Sequence, residues 1–307
     1  MSSFTWDSTV DEVATALSDH IKGKNVIITG CSPESIAFQV AKAVAARDPG
    51  VLVLTARKPA LLEESKAQIL AQSPNVSIKL VDFDLASQDS IRDAAERLKA
   101  LNVKFDALIN SAGVMATPYS FTSEGIEMQF GINHIGHFLL TTLLMPTLND
   151  GASIVNVSSS GYELAPPDWD DINFEKRRYD KWHSYAQSKT ANILFSAALA
   201  RKLAARGIIS FSVHPGTMPS QIIRHMTKED YDLFANTPLR LKTREQGAPN
   251  LMIGAFDPSI RDQNGGYIDD DNHVKPIPEE YAYAVGMDNE DRLWSISEDL
   301  VNQKFQY

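Results

Sequence analysis

A single cysteine, Cys31, stands among 307 residues, so no intrachain disulfide is possible and a reducing compartment, the cytosol by default, is expected. The chain has no long apolar run of the kind that crosses a bilayer as a helix, and no membrane span is expected. Positive charge is scarce as well: 29 Lys and Arg face 39 Asp and Glu, a formal net charge of −10. A nucleic-acid footprint is basic, so that partner class is excluded, whereas a local basic pocket for a phosphate is not. Near the start, Asp7, Asp11, Glu12 and Asp19 are present, and a basic end followed by an apolar stretch is not. The segment therefore reads as an amphipathic helix capped by Ser8 or Thr9 rather than a secretory signal. Metal-ligand spacing is missing too. His134 and His137 lie i, i+3 without a third ligand at zinc-type spacing. Asp168, Asp170 and Asp171 lack the glycine and terminal glutamate of a calcium loop. No metal is expected.

What is there is alternation. With 43% hydrophobic residues, the chain reads as globular, and its first two-thirds switches between short apolar runs and amphipathic helical ones. Strands are predicted over Asn25–Thr29, Val51–Thr55, Val76–Val81, Asp106–Asn110, Ser153–Val157 and Ile208–Val213. Helices are predicted over Ile36–Arg47, Pro59–Gln72, Ser87–Leu101, a long region from Thr122 to about Leu148, and Ser184–Arg206. Such alternation specifies parallel strands with crossover helices, a doubly wound α/β sheet covered on both faces. No linker or repeat interrupts it, so one domain is expected over 1–307, with an N-terminal helical extension at 1–22. The run Asp269–Asp271 reads as a solvated turn. The tail 268–307 is predicted to carry a helix around Trp294 that closes a pocket or packs against a partner subunit.

In an open α/β sheet, ligands bind beyond the carboxyl ends of the strands. The first strand ends in Gly30-Cys31-Ser32-Pro33-Glu34-Ser35-Ile36, a loop opening a helix whose exposed N–H groups attract phosphate. Arg57 follows the second strand, where an acid would suit a ribose diol and an arginine suits a 2′-phosphate, which favours NADP(H) over NAD(H). Asp84-Leu85 follows the third strand. Asn110-Ser111-Ala112-Gly113 follows the fourth, where small residues let the chain pass close to a flat ring. Ser158-Ser159-Ser160-Gly161 ends the fifth and His214-Pro215-Gly216-Thr217 the sixth. On the following helix, Tyr185 and Lys189 sit i, i+4 on one face, an arrangement in which a cation favours the phenolate.

These markers, in this order, resemble the short-chain dehydrogenase/reductase family and its retinol dehydrogenase-like branch over roughly residues 24–267. The resemblance implies a single Rossmann-type domain and an oxidoreductase interconverting a carbonyl and an alcohol. In it, Tyr185 is the general acid/base, and Lys189 holds the nicotinamide ribose and lowers the pKa of Tyr185. Ser159 donates to the substrate oxygen, and Asn133, from the run Asn133-His134-Ile135-Gly136, holds a water linking Lys189 to solvent. Gly30, Ser32, Ser35 and Ile36 form the phosphate loop. Asp84 and Leu85 hold the adenine, Asn110, Ala112 and Gly113 line the path from adenine ribose to diphosphate, and Pro215, Gly216 and Thr217 meet the nicotinamide. Family members are often homodimers or homotetramers. Two departures stand out. Ser35 and Ala37 replace the second and third glycines of the phosphate loop, where the Ser35 hydroxyl is available to a phosphate instead. Between Ser159 and Tyr185 lies a longer segment, 160–184, expected to wall the substrate pocket. Met115, Tyr162, Trp169, Trp182, Met218 and Ile222 are candidate walls for a small to medium, fairly apolar carbonyl or alcohol. The altered loop motivates the rival reading, a nucleotide-binding regulatory or scaffold protein. Nucleotide-sugar epimerisation is disfavoured, because only about forty residues follow Tyr267.

Overall fold

The computed structural model describes residues 4–235 and 240–307, so the first three residues of the predicted N-terminal extension lie outside the described residues. Among the described residues, eight strands form one sheet: β1 (Val26–Thr29), β2 (Leu52–Ala56), β3 (Ile78–Asp82), β4 (Phe105–Asn110), β5 (Leu148–Val157), β6 (Ile209–Val213), β7 (Tyr267–Ile268) and β8 (Val274–Lys275). Their order is β3-β2-β1-β4-β5-β6-β7-β8. All neighbours pair in parallel except β7 and β8, which form an antiparallel edge. The strand order therefore switches sides between β1 and β4. A crevice opens at that switch point, outside the carboxyl ends of the strands.

Helices cover both faces. Strand residues alternate between two apolar clusters, Val26, Ile28, Leu52 and Leu54 facing one and Ile27, Val53, Leu108 and Ile154 the other. Two-sided burial is why the central strands read as unbroken apolar runs rather than alternating ones. The N-terminal helix runs Val10–Ala16, capped by Thr9 with Glu12 reciprocating, and its Val10 and Val13 join the first cluster.

Four features differ from the sequence expectation. The long helix begins only at Met128, contains a π-helical turn at Gly131–Ile135 and ends in a 3-10 turn at Met145–Thr147. β5 starts at Leu148, where a helix end was predicted, and its register against β4 shifts between Phe105 and Ala107. The strands β7 and β8, two residues each, are too short to carry a pattern. The acidic turn joining them is engaged rather than merely solvated: Lys275 pairs with Asp269 at 3.5 Å, and Trp6 Nε1 donates to Asp270 at 3.0 Å. Finally, the tail helix Met287–Leu300 neither closes the pocket nor stands free. Its Trp294 enters the second cluster edge-on to Phe138, with ring centroids 5.1 Å apart.

Candidate active site

The helix Lys181–Lys202 is capped by Asp180, whose carboxylate accepts from Trp182 N and His183 N at 2.8 and 3.2 Å. One turn into it, Tyr185 and Lys189 face the carboxyl end of β5 and are only 5% and 3% exposed. The Lys189 ammonium donates to Val157 O at 3.0 Å and lies 5.4 Å from the Tyr185 ring centroid. An ammonium has three protons to donate, and Val157 O takes one. Ser159 caps the short turn Ser160–Leu164, its Oγ accepting from Gly161 N at 3.0 Å. Ser158 borders the same space, but its hydroxyl is taken up by Lys189 O, to which it donates at 2.8 Å. Gly161 is the residue the sequence reasoning passed over. A Cβ there would lie 2.6 Å from Tyr185 Cε1, so only glycine lets the turn lie against the phenol ring. The sole signal was its place two residues after Ser159.

Electrostatically the pair departs from expectation. Burial pushes the Tyr185 phenol up to about 12, with a hydrogen bond from Ser159 working the other way. Burial also pulls Lys189 down to about 7. Desolvation thus favours the neutral form of both groups, and it outweighs the lowering of Tyr185 expected from the ammonium.

Asn133 sits in the π-helical turn, and its side chain is a brace. Oδ1 accepts from Val114 N at 2.8 Å, while Nδ2 donates to Val114 O and Ser188 Oγ, both at 3.0 Å. Both amide protons are therefore spent on the protein, tying the chain after β4 to the Tyr185 helix. Nearby, Thr29 Oγ1 accepts from Ser111 N and Ala112 N at 2.9 and 3.0 Å. Its proton is then directed to His137 Nε2 at 2.9 Å, which leaves Nδ1 to donate to Asn133 O at 3.2 Å. His134 Nε2 meets Ser297 Oγ at 2.8 Å. The two histidines are thus held by separate protein partners. Among the described residues, no three His, Cys, Asp or Glu side chains gather as a metal site would require. Cys31 is buried, its thiol pushed up to about 12 by burial and donating to Ile28 O, so it is not a reactive thiolate.

From this pole a cavity of about 390 Å³ runs along the strand ends. Gly30, Ser32, Ser35, Ile36, Arg57, Asp84, Leu85, Ala112, Gly113, Ser159, Tyr185, Lys189, Pro215, Gly216 and Thr217 all line it. Asn110 does not: its amide is buried in the sheet, donating to Thr141 Oγ1 and Asn156 Oδ1 at 2.9 and 2.8 Å. Gly30 has φ +82°, and a Cβ there would sit 2.9 Å from Ala112 Cα, so the loop passes the chain after β4 as closely as backbones allow. Ser35 caps the helix Ile36–Ala45, its Oγ accepting from Phe38 N at 3.0 Å, with the hydroxyl proton left over. Besides Gly30, the left-handed residue of this loop is Glu34, at φ +68°. Glu34 therefore holds a conformation that favours glycine, one residue before Ser35. Its carboxylate reaches Arg244 at 3.4 Å.

Of the candidate walls, Met115, Met218 and Ile222 line the cavity. The other three do not. Tyr162 is buried with Ile193, Tyr267 and Ala284. Trp169 packs edge-on to Phe130 at 6.3 Å, and Trp182 donates to Asp230 at 3.0 Å. No residue of 160–184 is among the lining, and the chain after β6, from His214 to Arg224, supplies that wall instead.

These residues suit a dinucleotide: a close-passing glycine loop, a hydroxyl proton at a helix start, spare ammonium protons on Lys189 and the arginine Arg57. Comparison with known proteins agrees. The family described as short chain dehydrogenase matches residues 24–230. Human retinol dehydrogenase 13 is 35% identical over 289 residues, covering 92% of this chain and 85% of its own. The chloroplastic short-chain dehydrogenase TIC 32 A of Brassica napus is 35% identical over 306 residues, covering 96% and 93%. Among solved structures, an uncharacterized protein from Mycobacterium paratuberculosis superposes with a TM-score of 0.72 at 28% identity, covering 94% of this chain and 96% of that one. A Burkholderia cenocepacia short chain dehydrogenase in complex with NADP shares the fold, with a TM-score of 0.65 at 22% identity, covering 82% and 98%. The chain belongs to the short-chain dehydrogenase/reductase family of oxidoreductases, among its retinol dehydrogenase-like members.

Proposed function

We propose that the protein is an NADP(H)-dependent oxidoreductase interconverting a carbonyl and an alcohol on a small to medium, fairly apolar substrate. The observation that carries this reading is the convergence of Ser159, Tyr185 and Lys189 at one end of a cavity whose lining also includes Arg57. When bound, NADPH supplies the hydride to the carbonyl carbon. The Tyr185 hydroxyl, protonated because burial holds its pKa high, gives its proton to the carbonyl oxygen, and Ser159 donates a hydrogen bond to that oxygen as its charge develops. In the alcohol direction Tyr185 takes the proton back. Lys189 directs the protons not used by Val157 towards the nicotinamide ribose. Met115, Met218 and Ile222 give the substrate end its apolar character, and Arg57 favours the cofactor bearing a 2′-phosphate.

The test is a panel of aldehydes, ketones and alcohols followed by NADPH absorbance, with Tyr185→Phe beside the wild type. Removing the general acid should lower turnover by about 10²–10⁴-fold and leave NADPH affinity within a factor of about two. A Phe variant that keeps most of its activity would show that Tyr185 is not the proton donor.

A further inference from the structure

Arg57 and Arg224 come from distant strand ends. Arg57 follows β2, and Arg224 lies in the short turn Gln221–His225 after β6. The strands β1, β4 and β5 stand between them, so at ~4.8 Å per strand spacing roughly 19 Å of sheet edge separates the two origins. Both side chains nevertheless line the same cavity. The chain after β6 therefore arches along the strand ends, laying Met218, Ile222 and Ile223 on the cavity before reaching Arg224. Arg224 is an exposed residue whose guanidinium is partly shielded from water; that shielding lowers its pKa and the charge of Arg57 lowers it further, as expected when one cation faces another.

Arg57 has one long ion pair, and Arg224 has no acidic partner among the described residues. Arg224 donates to Gln221 O within its own turn at 2.8 Å, and among the described residues no carboxylate pairs with it. Arg57 has Asp84 at 3.9 Å, a long pair in which 62% of the arginine side chain and 39% of the aspartate stay in solvent. Two guanidinium groups on one cavity make an unfavourable arrangement that a phosphate dianion would relieve. Each fork can meet phosphate oxygens with two parallel N–H donors.

We infer that Arg224 joins Arg57 in gripping the 2′-phosphate of NADP(H), so that this phosphate holds the chain after β6 closed over the cavity. The inference rests on the NADP(H) reading above and extends it. Arg57 selects the phosphate, and Arg224 converts that selection into closure of the substrate wall carried by Met218 and Ile222.

Two nucleotide fragments test it on the full chain: 2′,5′-ADP, which carries the phosphate, and 5′-AMP, which does not. The wild type should bind 2′,5′-ADP at least tenfold more tightly, at about the strength of one charge-assisted hydrogen bond. Arg224→Gln should lose about tenfold in affinity for 2′,5′-ADP and nothing for 5′-AMP, with Arg224→Lys intermediate. In the wild type, 2′,5′-ADP should also protect the peptide bond after Lys228 from trypsin, 5′-AMP should not, and Arg224→Gln should abolish the protection. Equal binding of the two fragments by the wild type would overturn the NADP(H) reading itself. A preference that vanishes in Arg57→Gln but survives intact in Arg224→Gln would overturn only the present inference. Arg224 is exposed, so its replacement does not put folding at risk.

Discussion

At one end of the cavity Tyr185 and Lys189 are only 5% and 3% exposed, while elsewhere on its lining Arg57 keeps 62% of its side chain in solvent. The contrast separates two ways of using charge. In the buried pair, desolvation moves both pKa values by more than any neighbour does, so protonation is set by the fold and is insensitive to salt. Around Arg57 the charge is permanent and wet, and its influence fades beyond a Debye length of ~8 Å at physiological ionic strength. In the function proposed above, chemistry falls to groups whose protonation burial shifts, and cofactor choice falls to an arginine that faces solvent.

After Tyr185→Phe, Lys189→Met gives the largest expected effect and breaks the buried pole directly. Catalytic efficiency should fall by about 10²–10³-fold, yet the protein should become more stable. The folded-state pKa of Lys189, about 7, lies below the unfolded value of about 10.4. The unfolded chain therefore binds more protons between those values, and wild-type stability should rise with pH across that window. Below about pH 7 the destabilisation is fully present; above about 10.4 it is gone. Thermal melts from pH 6 to pH 10 should show the rise in the wild type and not in Lys189→Met. A flat wild-type profile would place the ammonium in water rather than in the protein interior.

Gly161→Ala comes next. Its Cβ must displace the Tyr185 ring from a 2.6 Å contact, and a misplacement of that order can cost about a hundredfold in rate. The expected signature is a kcat lowered by about ten- to a hundredfold with NADPH affinity unchanged, and an unaltered kcat would remove Gly161 from the site. Arg57→Asp probes the exposed region. The preference for NADPH over NADH should drop by about tenfold or more, and the wild-type preference should itself shrink as salt is raised. Titrations of both cofactors at low and high salt read this out. The smallest effect is expected from Glu34→Gly. It relieves a left-handed backbone worth roughly 1 kcal/mol, adding about 2–4 °C to the melting temperature. It also removes a carboxylate from the cavity lining, so NADPH should bind a few-fold more tightly. Unchanged affinity would mean that the exposed pairing with Arg244 already neutralises that carboxylate.

Sequence legibility follows the same division. The six parallel strands could be read because burial on both faces makes each an apolar run. Tyr185, Lys189 and Ser159 were visible because they sit at fixed places relative to those strands. Features set by backbone conformation were not. The left-handed backbone at Glu34 gave no signal, since glutamate is not a residue type that favours it. Asn110 looked like cavity lining, yet its amide is used inside the sheet by Thr141 and Asn156. Tyr162, Trp169 and Trp182 looked like pocket walls because large aromatic residues near an active site serve the core equally well. β7 and β8 offered two residues each, below the length at which alternation can be recognised. Arg224 gave no signal, since its position depends on how the chain after β6 arches along the sheet.

The π-helical turn at Gly131–Ile135 has a consequence for which lengths of chain can be tolerated. A regular α-helix advances ~100° per residue, so deleting one residue here would restore even winding and swing every following side chain by about that angle. Asn133 could then brace Val114 and Ser188, or Phe138 and Leu139 could face the core, but not both. Insertions around the exposed Leu164, past the Gly161 turn, carry no such penalty, because no residue there lines the cavity. Between β4 and β5, the count of residues is itself part of the site.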